Sequence, residues 1–152
     1  IPELLNNQKT YFKTGKTLSV SYRKTLLKSL LNQLESREQD IIDALYNDFK
    51  KPEFESVLTE TAIVIQDLKL TIKKLNKWAK PKRVFPVLLN FPSTDYLYAE
   101  PYGSVLIISP WNYPYQLAFA PLNENMSAAY NIFVNNCSIN GFKYVLKAST
   151  IS

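Results

Sequence analysis

Apolar residues recur at three- and four-residue steps through the first half of the chain. Tyr22, Leu26, Leu27, Leu30, Leu31 and Leu34 make one stripe, which predicts an amphipathic helix. Ser36-Arg37-Glu38-Gln39 has the form of a capping box, so a second helix is predicted from Ser36, with Ile41, Ile42, Leu45 and Phe49 on its apolar face. Pro52 predicts the opening of a third, because a missing amide proton costs nothing in a first turn. Its stripe is Val57, Leu58, Ala62, Ile65, Leu68, Ile72, Leu75 and Trp78, and it is predicted to end before Pro81. Residues 1–80 therefore read as helical.

Beyond residue 80 the period changes. Pro81, Pro86 and Pro92 punctuate residues 81–93, which read as a connection. Residues 94–100 alternate Tyr96 and Tyr98 with Leu97 and Ala99, the pattern of an exposed or edge strand. Pro101-Tyr102-Gly103 reads as a turn. Val105 to Ile108 is an unbroken apolar run, which predicts a strand covered on both faces. Pro110 and Pro114 bracket Trp111-Asn112-Tyr113, where a regular ladder cannot continue. A neutral amide held at the carboxyl end of a buried parallel strand is where open α/β folds place ligand chemistry. Asn at a turn also commonly serves its own backbone, so Asn112 by itself carries either reading.

Composition narrows the chemistry. The 152 residues, 46% hydrophobic and 20% charged, suit one domain with a core. No run of eighteen uncharged apolar residues occurs, so no transmembrane helix is expected. Residues 1–5 do not have the form of a signal peptide. The only Met is Met126, which reads as a trimmed, processed or excerpted chain. One Cys, Cys137, excludes an internal disulfide framework and fits a reducing compartment, hence a cytoplasmic location. With no His, neither a Cys-His nor a Ser-His pair can form, and one Cys with scattered carboxylates makes no metal cluster. Three Gly, at 15, 103 and 141, build no phosphate loop. The net charge is +5, concentrated in Lys69, Lys73, Lys74, Lys77, Lys80, Lys82 and Arg83. Such a stretch can bind nucleic acid or an anionic membrane. The helical spacing of Lys69, Lys73, Lys77 and Lys80 favours a solvated helix face, and no aromatic recognition pattern accompanies it, so no nucleic-acid partner is expected.

The segment Glu100-Pro101-Tyr102-Gly103, followed by four apolar strand residues and Ser109-Pro110-Trp111-Asn112-Tyr113-Pro114, resembles the aldehyde dehydrogenase superfamily, in wording closest to its class 3, fatty-aldehyde branch. Residues 11–15, 23–34 and 43–50, Glu60, and residues 73–81 resemble the amino-terminal helices of that family, so the resemblance covers residues 8–122. It implies oxidation of an aldehyde to a carboxylic acid through a Cys thiohemiacetal, with NAD or NADP as hydride acceptor. Asn112 is then the oxyanion donor. Ile107, Ile108, Ser109, Pro110 and Trp111 form part of the cofactor floor, and Tyr113 lies near the substrate. The implied fold is an incomplete α/β arrangement of aldehyde-dehydrogenase type: amino-terminal helices (1–80), a connection, bridging-type strand and first Rossmann-like strand (81–122), and a divergent tail (123–152). The bridging strand implies a homo-oligomer.

After Leu122 the resemblance weakens. Tyr130 stands where a small residue is expected, and Asn136 near the position of a cofactor-ribose Lys. The family's thiolate and carboxylate base come from later regions, and Cys137 is not in its nucleophile motif, where a lone Cys reads as an inert small residue. The expectation is that these residues alone do not oxidise aldehydes. The alternative is a non-catalytic protein that joins full-length relatives through its helices and edge strand. An unpaired sheet edge predicts self-association or poor solubility.

Overall fold

The structure is a computed structural model that describes residues 2–90, 92–99, 104–127 and 131–134. Helix α1 (Pro2–Lys13) runs out at Gly15, whose φ of 69° lies in the left-handed region that an L side chain rarely adopts. A 3-10 turn, Lys16–Leu18, leads to α2 (Val20–Ser36). Ser19 caps α2, its hydroxyl accepting the Tyr22 amide at 3.3 Å. Helix α3 (Glu38–Phe49) follows with Glu38 and Asp40 in its first turn, where carboxylates oppose the helix dipole. Then come α4 (Glu53–Ser56), a π-helical turn (Val57–Thr61) and α5 (Ala62–Trp78), in unbroken succession.

Three details differ from the sequence reading. The second helix starts not at Ser36 but at Glu38, because the Ser36 hydroxyl donates back to the Gln33 carbonyl at 3.1 Å and so closes α2 rather than capping α3. Phe49, Leu58 and Trp78, assigned to apolar stripes, are exposed. The π turn shifts the helix phase and turns Leu58 outward, while the buried face of α5 runs through Val64, Ile65, Leu68, Thr71 and Leu75, and Trp78 is the exposed last residue of the helix.

Residues 82–90 and 92–97 form a two-stranded arm. Strand β1 (Lys82–Val84) pairs antiparallel with β2 (Asp95–Leu97), Arg83 opposite Tyr96, with a 3-10 turn at Leu88–Asn90 between them. The expected connection therefore begins as a strand, and the expected strand at 94–100 narrows to three residues. Its exposure is as predicted: Tyr96 and Leu97, on opposite faces, both meet solvent.

Strand β3 (Ser104–Ile107), α6 (Pro114–Ser127) and β4 (Asn131–Val134) form a β-α-β unit, with β3 and β4 parallel and Ile107 opposite Val134. The expectation of a strand covered on both faces is corrected: Ile107 is buried, whereas Leu106 is 53% exposed and Ile108 lies past the strand end. Among the described residues β3 has one neighbour, β4, and the alternation follows from the strand's period of two. The expected turn at Glu100–Gly103, and Tyr130, Asn136, Cys137 and Gly141, lie outside the described residues.

One apolar cluster joins these elements. Leu27, Leu30 and Leu34 of α2, Ile41 and Leu45 of α3, and Val64, Leu68 and Leu75 of α5 meet Ile107 and the α6 residues Tyr115, Ala118, Phe119 and Leu122. The Tyr115 and Phe119 rings stack with centroids 4.6 Å apart. Helix α6 thus belongs to the same core as the amino-terminal helices. Leu68→Ala should lower the unfolding free energy by about 2–5 kcal/mol, the cost of a cavity at a fully buried Leu, while Phe85→Ser on the arm should change it by less than about 0.5 kcal/mol. Urea unfolding measures both, and equal effects would contradict this core.

Candidate functional site

The carboxyl end of β3 opens into residues 108–113, a bend that delivers the chain to α6. Ile107 points into the core. Ile108 (75%) and Trp111 (73%) are exposed, as are Pro110 and Asn112, and Tyr113 is half-buried. Ser109 is buried, and its hydroxyl lies 3.1 Å from the carbonyl oxygens of both Pro110 and Pro114, tying the two ends of the bend together. The Leu117 amide donates to the Tyr113 carbonyl at 3.0 Å, the first bond of α6. Asn112 is therefore a solvent-facing amide on a loop fixed from behind. Of the residues singled out from sequence, Ile108, Pro110, Trp111 and Asn112 are exposed, while Ile107 and Ser109 are buried.

The π turn supports this loop from beneath. It places Glu60 and Thr61, consecutive in sequence, both at 0% exposure. The Thr61 hydroxyl donates to Glu38 Oε1 at 2.6 Å. Glu60 Oε1 pairs with Lys51 Nζ at 2.6 Å, and Glu60 Oε2 accepts the amides of Tyr115 (2.9 Å) and Gln116 (3.3 Å). Those amides belong to the first turn of α6, where no intrahelical acceptor exists and a negative charge is favoured by the helix dipole. Lys51 also lies over the Tyr113 ring, 4.3 Å from its centroid. Lys50, with φ 57°, takes the left-handed conformation that ends α3, and the chain turns Lys51 inward from there. Burial, then the charges of Glu38 and Glu60, push the Tyr115 phenol well above the usual tyrosine range, so it stays neutral.

Helix α6 is held further along as well. Asn123 Nδ2 donates to Asp67 and, at 2.9 Å, to Thr71 Oγ1, both on α5. The Arg23 guanidinium donates to the Ser127 carbonyl at the helix end, where a cation is favoured. Burial lowers the Arg23 pKa from its ordinary value. None of Lys51, Glu60, Asn123 or Arg23 was assigned a role from the sequence. The available signal was a charged residue in register with an apolar face: Glu60 stands one turn before Val64, and Arg23 one turn before Leu27.

The described residues offer few other centres. A groove of about 680 Å³, lined by Tyr11, Thr14, Gly15, Lys16, Ser19 and Tyr22, is open to solvent and shares no residue with the Asn112 loop. Among the described residues no three His, Cys, Asp or Glu side chains group as a metal site, and no helix is long and apolar enough to cross a membrane.

A β-α-β unit whose strand ends in an exposed polar bend defines an open α/β fold of the kind that binds ligands at strand carboxyl ends. The chain belongs to the aldehyde dehydrogenase family, whose sequence profile matches residues 2–138. It is 43% identical over 122 residues to 4,4'-diaponeurosporen-aldehyde dehydrogenase of Staphylococcus aureus, covering 80% of this chain and 27% of that protein. It is 37% identical over 150 residues to aldehyde dehydrogenase family 3 member B3 of Mus musculus, covering 99% of this chain and 29% of the relative. Among solved structures, the substrate-bound state of Staphylococcus aureus AldH superimposes with a TM-score of 0.90 at 37% identity, over 98% of this chain and 33% of that one. A succinic semialdehyde dehydrogenase from Streptococcus pyogenes, solved with NADP+, shares the fold at a TM-score of 0.84 and 15% identity, over 99% of this chain and 33% of that one. The chain thus spans about a third or less of the length of these relatives.

Ser109→Ala removes the hydroxyl that ties the bend. The expected result is a loss of about 1 kcal/mol of stability, with faster depolarisation of Trp111 fluorescence in a Trp78→Phe background. Unchanged anisotropy would show that the Ser109 bonds do not order the loop.

Proposed function

We propose that this segment supplies the oxyanion donor of an NAD(P)-dependent oxidation of aldehydes to carboxylic acids. One observation carries the reading: Asn112, at the carboxyl end of β3, is an exposed amide on a loop fixed by Ser109 and by the buried Lys51–Glu60 pair. Family membership supports it. When a thiolate adds to an aldehyde carbonyl, negative charge develops on the oxygen, and a pre-oriented amide N–H stabilises that charge without reorganising. The amide is neutral and non-basic, so it neither takes up the thiol's proton when the thiolate forms nor accepts the hydride. In this reading the thiolate and the carboxylate base belong to other parts of the working protein.

The residues around Asn112 fit a nicotinamide better than a pyrophosphate. In a dinucleotide fold the pyrophosphate rests on a helix N-terminus, but here the first amides of α6 are already accepted by Glu60. Ile108, Pro110 and Trp111 instead offer an exposed, uncharged surface. These residues would hold the nicotinamide end of NAD or NADP, which supplies a hydride acceptor when bound. The substrate class we propose is an apolar aldehyde. The exposed Trp111 and half-buried Tyr113 flank Asn112 and offer an apolar approach to it.

A second reading concerns association. The β1–β2 arm leaves Phe85, Leu88 and Leu89 almost fully exposed, an apolar patch that suits contact with a second subunit. Replacing all three by Ser should reduce the oligomer mass measured by light scattering, and an unchanged mass would remove this role.

In the aldehyde-oxidising protein, Asn112→Ala should lower kcat about 100- to 1,000-fold, the usual cost of one oxyanion donor, with little change in the KM for cofactor. The rate of reduced-nicotinamide formation reads this, and a variant with undiminished kcat would overturn the assignment.

A further inference from the structure

We propose that Lys51 and Glu60 are positioning residues for Asn112, fixing the loop through Tyr113 and through the first amides of α6; this rests on the oxyanion reading above. Asn112 lies one residue before Tyr113 and three before Tyr115. The Lys51 ammonium packs over the first of these rings at 4.3 Å, and Glu60 Oε2 accepts the amide of the second at 2.9 Å. Both anchors converge on one ion pair, 2.6 Å long, with Glu60 at 0% and Lys51 at 9% exposure. Burying such a pair is costly, and apolar residues can replace it with no loss of stability. Stability alone therefore does not account for it. Direction does. An apolar pair packs without orientation, whereas a carboxylate with three donors fixes where the helix starts to within a hydrogen-bond length.

The π turn is part of the same device. It sets Glu60 against α6 and Thr61 against Glu38 at adjacent positions, so the carboxylate is referenced to α3 as well as to α5. The left-handed Lys50 brings Lys51 in from the end of α3. Movement of α6 relative to these helices would pass directly to the Asn112 bend. Because a displacement of ~1 Å in a catalytic group can cost ~100-fold in rate, the effect of the pair should appear in kcat.

The test is the double variant Lys51→Met with Glu60→Leu, made in the full aldehyde-oxidising protein. Removing both charges together leaves no uncompensated ion, so the variant should fold, whereas either single change strands a buried charge. The expected result is a kcat reduced about 10- to 100-fold, with the cofactor KM within about twofold of the parent's. Hydrogen exchange at the Tyr115 and Gln116 amides should be at least about tenfold faster, as those donors lose their acceptor. Adding Asn112→Ala to the double variant should cost much less than it does in the parent, because the coupled groups act as a unit. Lys51→Arg, which keeps a cation over Tyr113 and beside Glu60, should retain most of the parent kcat. Thr61→Val, which breaks the neighbouring bond to Glu38, should lower kcat less than the double variant does, because Glu60 keeps its own three donors. A folded double variant with parental kcat, or one in which Asn112→Ala exerts its full effect, overturns the positioning role. A parent protein with no aldehyde turnover overturns instead the reading on which it rests, and the hydrogen-exchange result distinguishes a failed clamp from a failed function.

Discussion

A carboxylate without solvent contact, that of Glu60, receives three donors: one ammonium and two backbone amides. A buried charge is tolerated only where its lone pairs are satisfied and an opposite charge is near. That requirement fixes where α3, the π turn and α6 lie with respect to one another. Lys51 must come in from the end of α3, which needs the left-handed Lys50. The helix from Glu53 must widen into a π turn to bring Glu60 and Thr61 inward together. Helix α6 must begin where its first free amides can reach Oε2. The exposed bend that carries Asn112 lies between the end of β3 and that helix start, so its placement follows from the ion pair.

Apolar packing supplies the cohesion and this polar network supplies the direction. The core shared by α2, α5, β3 and α6 holds the β-α-β unit against the amino-terminal helices. The remaining polar bonds of α6, from Asn123 to Asp67 and Thr71 and from Arg23 to the Ser127 carbonyl, fix the rotation of the helix and its far end. An element secured along its length cannot shift its first turn independently, which is what a rigidly presented amide requires.

Much of the fold was legible in the sequence. The leucine stripe of α2, the helix after Pro52 and the strand before Pro110 each followed from period and punctuation, and the Pro110-Trp111-Asn112-Tyr113-Pro114 segment pointed to the family. What was not legible depended on phase and on tertiary partners. A π turn adds a residue to one helical turn, so a stripe extrapolated at constant period placed Leu58 inside when it faces out, and Trp78, in phase with Leu75, is exposed as the last residue of α5. The strand Lys82–Val84 is three residues long and pairs only with distant Asp95–Leu97, so its local pattern carried no signal. Glu60 matched the family's helices in sequence but its role was not legible, because the donors to its carboxylate are 9, 55 and 56 residues away.

In the function proposed above, Asn112 is the point where fold becomes chemistry. The most direct measurement is the nitrogen-15 resonance of the Asn112 side-chain amide, recorded while the carboxylate product of an apolar aldehyde is added in the presence of NAD or NADP. An oxyanion-donor Asn112 should show a progressive downfield shift as its amide hydrogen-bonds the added carboxylate. An Asn112 amide that stays unmoved at saturating ligand would contradict that role.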